Sequence, residues 1–188
     1  MTHAVRRGVR VGVDVGSVRV GVARSDLEGV LAVPVETLAR PRGRAPRTDL
    51  EALVTLVTEH EALEVVVGLP LGLDGTEGAA AEAARTYAED LAAALRGSGA
   101  DVPIRLLDER LTTAQASRDL AAAGRNSRAG RSVVDQAAAV IIVQHALDAE
   151  RSTGTPPGSL LQPRTDDSTT DDSRTDDSRT DDPRKDPA

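Results

Sequence analysis

Residues 9–25 read VRVGVDVGSVRVGVARS. Valine takes every second position, so Val9, Val11, Val13 and Val15 share one face of a strand. Arg10, Gly12, Asp14 and Gly16 share the other. After a tight turn at Gly16-Ser17, Val18, Val20 and Val22 resume the alternation on a second strand. Asp14 breaks the apolar character of the first strand, between two glycines that let another backbone or a phosphate approach. An Asp here serves equally well as a cap for the turn that follows it.

Working outward, GVLAVPVETL (29–38) reads as a third strand, with Pro34 marking an edge or a strand end. ARPRGRAPR (39–47) is a loop, and an Arg-Pro loop in an arginine-rich chain reads as solvated. Thr48 with Glu51 forms a capping box for the helix DLEALVTLVTEHEA. EVVVG (64–68) is a short buried strand, and LPLGLDGTEG (69–78) a glycine-rich loop. A helix over about 79–96 stops at Gly97, and VPIRLLDE (102–109) is the fifth strand. Thr112 with Gln115 opens a helix that ends at Gly124, and GRNSRAGR (124–131) is a basic loop. Ser132 then caps a last helix running to about Glu150. This order predicts an α/β domain with a five-stranded mixed sheet and helices on both faces. The first three strands pair antiparallel, and the fourth and fifth, joined by helical crossovers, run parallel to the first.

The domain is expected over residues 1–150. Residues 151–188 read as a disordered acidic low-complexity tail, with RTDDS, TTDDS, RTDDS and RTDDP repeating over 164–183. The tail holds 6 basic and 9 acidic residues in a chain of net charge −7. The folded part is therefore also acidic, and any nucleic-acid surface on it must be local. Hydrophobic residues make up 39% of the chain, but Tyr87 is its single aromatic, which removes base-stacking platforms. Cysteine is absent, which excludes disulfides and thiolate chemistry and fits a cytoplasmic protein. The N-terminus lacks the apolar run of a signal peptide, and no apolar stretch is long enough to span a bilayer. No membrane role is expected. His3, His60 and His145 have no ligand spacing.

Three carboxylates sit where a charge is costly. Asp14 lies within an apolar strand, Glu109 ends another, and Asp135 follows Ser132 in the first turn of an apolar helix. No Lys or Arg stands at a helical or strand spacing that would pair with all three, so a divalent cation is the simplest compensation. Carboxylates converging on Mg²⁺ or Mn²⁺ form a phosphodiester-cleaving arrangement. Asp108 and Glu109 face opposite sides of their strand, so one of them reaches the face of Asp14; Glu109 is taken, with Asp108 as the alternative. Asp135 is in register with Ala138, Ala139, Ile142 and Ala146 on the inward face of its helix, which argues against a role as a capping-box partner of Ser132. Arg125, Arg128 and Arg131 precede Asp135 and are placed to contact backbone phosphates, and Arg110 adjoins Glu109.

The segments GVDVGSVRVGVARSD, VVVGLPLGLDGTEG, LLDERLTTAQA and VVDQAAAVIIVQ, in this order and spacing, resemble the YqgF family. These are RNase H-like, Holliday-junction-resolvase-like nucleases of the bacterial pre-16S rRNA. The resemblance covers roughly residues 8–150. It implies an RNase H-like fold, an acidic triad at Asp14, Glu109 and Asp135, and a phosphodiester hydrolase maturing the 5′ end of 16S rRNA in the cytoplasm. Structured RNA or branched DNA, ribosomal particles, and a monomeric or homodimeric state follow as expected partners. Gly72 stands where the family commonly has Asn, and the basic loop uses Arg where Lys is frequent. Competing readings are an ATPase of the actin and sugar-kinase type, which needs a second duplicated domain, a non-catalytic nucleic-acid-binding factor, and a Holliday-junction resolvase, which needs a symmetric dimer.

Overall fold

The structure, a computed structural model, describes residues 3–41, 43–111 and 128–162. Its strands are β1 (Arg10–Val15), β2 (Arg19–Ser25), β3 (Ala32–Ala39), β4 (Glu64–Leu69), β5 (Ile104–Asp108) and β6 (Ser159–Leu160). Its helices are α1 (Thr48–Glu59), α2 (Ala79–Gly97) and α3 (Arg128–Thr153), with a 3₁₀ turn at Glu109–Leu111. The strands form one sheet in the order β3-β2-β1-β4-β5-β6. β1, β2 and β3 pair antiparallel, while β4 and β5 run parallel to β1. This is the mixed, helix-flanked sheet expected of an RNase H-like fold.

The valine alternation decides which face is which. Val11, Val13, Val20 and Val22 are fully buried against α1 and α2, together with Leu53, Leu91 and Tyr87. Each such aliphatic side chain contributes about 1.5–3 kcal/mol by leaving water. α3 covers the other face, crossing β1, β2, β3 and β4. Pro34 lies in β3, at the sheet's edge, where a missing N–H costs no ladder bond.

Several expectations are corrected. The sheet has six strands, not five, because the chain beyond Glu150 continues the fold as far as Gln162. Thr153 closes α3, Gly158 turns with φ +62°, and Ser159–Leu160 pair antiparallel to β5. Leu161 donates its N–H to the Ile104 carbonyl at 2.8 Å and packs on the core. The repeats from 164 onward lie outside the described residues. α3 starts at Arg128, so Ser132 is not its cap, and Arg128 and Arg131 belong to helical backbone rather than to a loop. The helix expected over 112–124 lies outside the described residues. Thr48 makes no side-chain capping bond at α1.

The Arg-Pro loop, exposed over residues 43–46, is anchored at its two ends by Arg40 and Arg47. The guanidiniums of Arg40 and Arg47 each lie 5.3 Å from the centroid of the buried Tyr87 ring, within cation–π range. Arg47 also donates to Asp90 at 2.7 Å and to Asp49 at 3.1 Å. Burial alone would raise the Asp49 carboxyl, but the Arg47 guanidinium hydrogen-bonded to it holds it below the ordinary carboxylate value. Arg40 donates to the Gly16 carbonyl at 3.1 Å and so ties the loop to the β1–β2 turn.

At the far end of β1, Arg10, Glu64 and Glu150 form a buried charge cluster. Arg10 donates to Glu150 at 2.9 Å. Arg6 donates to Glu150 at 2.8 Å and to Glu64 at 2.7 Å, and Arg105 donates to Glu64 at 3.0 Å. The cluster fastens the C-terminal half of α3 to the N-terminal segment and to β1, β4 and β5.

Candidate active site

Three glycines set how close α3 comes to the sheet. A Cβ on Gly21 would lie 2.1 Å from the carbonyl oxygen of Asp135, and one on Gly12 would lie 2.1 Å from a methyl of Val143. A Cβ on Gly68 would lie 1.9 Å from Oε1 of Glu109 and 2.6 Å from Ile142. The helix therefore rests on bare backbone of β1 and β2, and the Glu109 carboxylate lies on bare backbone of β4. The close approach expected beside Asp14 is made by this helix.

These contacts put the acidic residues on one face. Asp14 pairs with Gly21 in the antiparallel register, so their side-chain directions agree, and Gly21 points at Asp135. Val13 pairs with Val67 in the parallel register, which sets Asp14 beside Gly68 and the carboxylate above it. Asp14 is half-buried, and Glu109 is 2% exposed. On α3, Ala138, Ala139, Ile142 and Ala146 are buried in register with Asp135, as the periodicity requires. Because α3 starts at Arg128, Asp135 lies past its first turn, which leaves the capping-box role without a helix end to cap.

The choice between Asp108 and Glu109 follows from what each touches. Asp108 accepts from the Arg110 backbone N–H at 2.9 Å and from its guanidinium at 2.6 Å. The Arg110 hydrogen bonds hold the Asp108 carboxyl below its ordinary value. Glu109 opens the 3₁₀ turn instead of ending the strand, and it turns under α3. Arg110 is thus an ion-pair partner at the rim, against the tight 72–77 turn, where Gly75 has φ +87°. That turn is closed by Asp74, which accepts from Thr76 Oγ1 at 2.7 Å. Arg125 lies outside the described residues, as do the side chains of Arg128 and Arg131.

Sequence reasoning missed Arg19. Its Nε lies 2.8 Å from Oδ2 of Asp135, with both side chains 27% exposed. No arginine is expected at a spacing that would pair with all three carboxylates, and Arg19 pairs with Asp135 from another element. The N–H is not aimed at the oxygen, and neither atom finds a hydrogen-bond partner. Arg19 stands two residues before Gly21 on β2, so strand alternation already placed it on this face. Among the described residues, no three acidic or imidazole side chains stand close enough to close on one ion as they are. The donor set nevertheless suits a hard divalent cation, being carboxylate oxygens with a buried oxygen on Asp135 that accepts no hydrogen bond.

The glycine contacts make a paired prediction. Gly21→Ala drives a methyl into helix backbone that cannot yield locally. It is expected to cost about 2–3 kcal/mol, read as a fall of about 6–10 °C in melting temperature. Gly68→Ala strikes the movable end of Glu109 and is expected to cost less stability. Because it displaces that carboxylate, it should cost about a hundredfold in cleavage rate. Equal stability losses in the two variants would contradict this account of the interface.

Comparison with known proteins now decides the family. A family profile described as "RuvX: Holliday junction resolvase" matches residues 8–149. The chain belongs to this family, the YqgF family of the motif reading. RuvX relatives include a "Putative pre-16S rRNA nuclease" of Thermobifida fusca, 50% identical over 165 residues, covering 84% of this chain and 98% of that protein. A protein of the same name from Frankia casuarinae is 57% identical over 149 residues, covering 79% of this chain and 70% of that protein. The solved structure of Thermus thermophilus RuvC with a Holliday junction substrate covers 78% of this chain and 97% of its own, at 15% identity and a TM-score of 0.48. RuvX membership places this chain among the nucleases.

Proposed function

We propose that this RuvX-family chain is a divalent-metal-dependent nuclease that trims the 5′ end of the 16S rRNA precursor in the cytoplasm. The observation that carries the reading is the shared face of Asp14, Glu109 and Asp135, on three separate elements, above Gly21 and Gly68. The names of the relatives in Thermobifida and Frankia supply the substrate class. Asp14, Glu109 and Asp135 would hold the cation, Mg²⁺ or Mn²⁺. When bound, the ion lowers the pKa of a water and stabilises the leaving oxygen.

The chain's own residues supply position and charge. α3 sets Asp135 over β2, and the 3₁₀ turn sets Glu109 over β4. Arg110 stands at the rim, and Arg128 and Arg131 lie in the opening turns of α3, whose N-terminal end favours phosphate. Backbone phosphates of structured RNA are their natural partners, contributing affinity without sequence readout.

The family description also favours a second reading, in which the same site cuts branched DNA. Cleavage of a short RNA spanning the small-subunit precursor 5′ end, beside a DNA four-way junction, separates the two. RNA cutting that needs Mg²⁺ or Mn²⁺ and stops on chelation is the expected result. Junction cutting alone would move the protein to recombination. Metal binding without any cutting would point to a non-catalytic factor in ribosome assembly.

A further inference from the structure

We propose that Arg19 gates the acidic site. Its guanidinium is the resident counter-ion of Asp135, a divalent cation must displace it, and the released guanidinium then takes a phosphate oxygen of the substrate. This rests on the metal-dependent reading above and adds to it an order of events carried by one residue.

Position is the first argument. Gly16 donates its N–H to the Arg19 carbonyl at 2.9 Å, which fixes the Arg19 backbone at the close of the β1–β2 turn. From there its side chain runs along the face that carries Gly21 and Asp14. It meets Asp135 from the sheet side, at the oxygen that accepts no hydrogen bond.

The quality of the contact is the second. A pair at 2.8 Å whose N–H is misdirected keeps Coulomb attraction but forgoes the directional part of a charge-assisted hydrogen bond. Arg47 and Arg10, by contrast, are held firmly. Arg47 has two carboxylate partners and the Tyr87 ring, and Arg10 is fully buried on Glu150. Among the described residues Arg19 has one, poorly aimed, ion pair and is part-exposed, so it can leave.

Chemistry is the third. A guanidinium and a divalent cation compete for the same carboxylate oxygen. Once freed, the planar donor fork suits phosphate better than an ammonium would.

The two halves have opposite signs, which a purely structural arginine would not produce. Arg19→Gln in the full chain is expected to bind Mn²⁺ roughly fivefold more tightly by calorimetry, the factor that about 1 kcal/mol of relieved pairing gives. At saturating Mn²⁺ the same variant should show a raised KM for the precursor RNA. Arg110→Gln, which removes a nearby cation that pairs with Asp108, should leave Mn²⁺ affinity nearly unchanged. Arg19→Lys keeps the charge and should fall between wild type and Arg19→Gln, with melting curves confirming that all three fold.

Unchanged or weaker Mn²⁺ binding by Arg19→Gln overturns the gate. Equal tightening in Arg19→Gln and Arg110→Gln also overturns it, because the effect would then be general electrostatics. Absence of Mn²⁺ binding in wild type and every variant would instead bring down the metal reading, and the gate with it.

Discussion

Asp14→Asn is expected to lower metal-dependent cleavage by at least about a thousandfold without unfolding the protein. Asn keeps the shape of Asp, and the β1–β2 pairing opposite Gly21 uses backbone groups that the change leaves alone. What disappears is one negative oxygen on the face shared with Glu109 and Asp135. A bound metal supplies several kcal/mol of charge stabilisation, and each 1.4 kcal/mol is a factor of ten in rate. Mn²⁺ affinity should fall in step with the rate. Melting temperature should hold, since Asn fills the same space as Asp. Cleavage within tenfold of wild type would remove Asp14 from the site.

Glu150→Gln carries the largest expected cost in stability, about 3–5 kcal/mol, because it takes from buried Arg10 its hydrogen-bonded carboxylate and leaves only Glu64, 3.6 Å away, to balance the charge. Arg6 loses the same partner, having bonded Glu150 through both its backbone and its guanidinium. The effect has a pH signature. Burial pushes the Glu150 carboxyl up, but hydrogen bonds from Arg6 and the charge of Arg10 outweigh it and hold the group below its ordinary value. The unfolded chain therefore takes up this proton first as pH falls. Stability from Glu150 is full above the ordinary carboxylate value and drains away as pH drops below it. Wild type should lose melting temperature steeply over that acidic window. Glu150→Gln should start lower and decline less steeply, the remaining slope coming from groups such as Asp49, which is held low in the same direction. Parallel pH profiles for the two proteins would contradict this assignment.

What could be read from the chain follows how local each signal is. β1 and β2 announce themselves because period-two valines leave no other fold for residues 9–22. β4 shows as a short apolar run after Glu64, and α2 ends at Gly97 as its glycine foretells. β6 could not be seen, because two residues carry no period and its pairing depends on Gly158 turning the chain back to β5. The start of α3 was misplaced because Ser132 looks like a cap, whereas the preceding Arg-Ala-Gly-Arg segment has no apolar face to betray a helix.

The carboxylates were nameable, but their neighbours were not. Strand parity separates Asp108 from Glu109 without choosing between them. The direction of Glu109 is set by the 3₁₀ turn that replaces the strand there. Arg19 has the correct parity with Gly21, yet its partner lies on α3, and a contact that long in sequence leaves no local trace.

Tyr87 has a consequence for the bench. With no tryptophan and no phenylalanine, it is the sole aromatic chromophore of the chain. It is fully buried under α1, α2 and two guanidiniums, on the sheet face away from Asp14. Burial, aided by the charge of Asp49, pushes its hydroxyl well above the ordinary tyrosine value, so tyrosinate absorbance in alkali reports unfolding rather than surface titration. Near-ultraviolet emission and dichroism become single-site probes of the aliphatic core, insensitive to events among the carboxylates. Absorbance at 280 nm is correspondingly faint, and quantifying this protein calls for peptide-bond absorbance or amino-acid analysis.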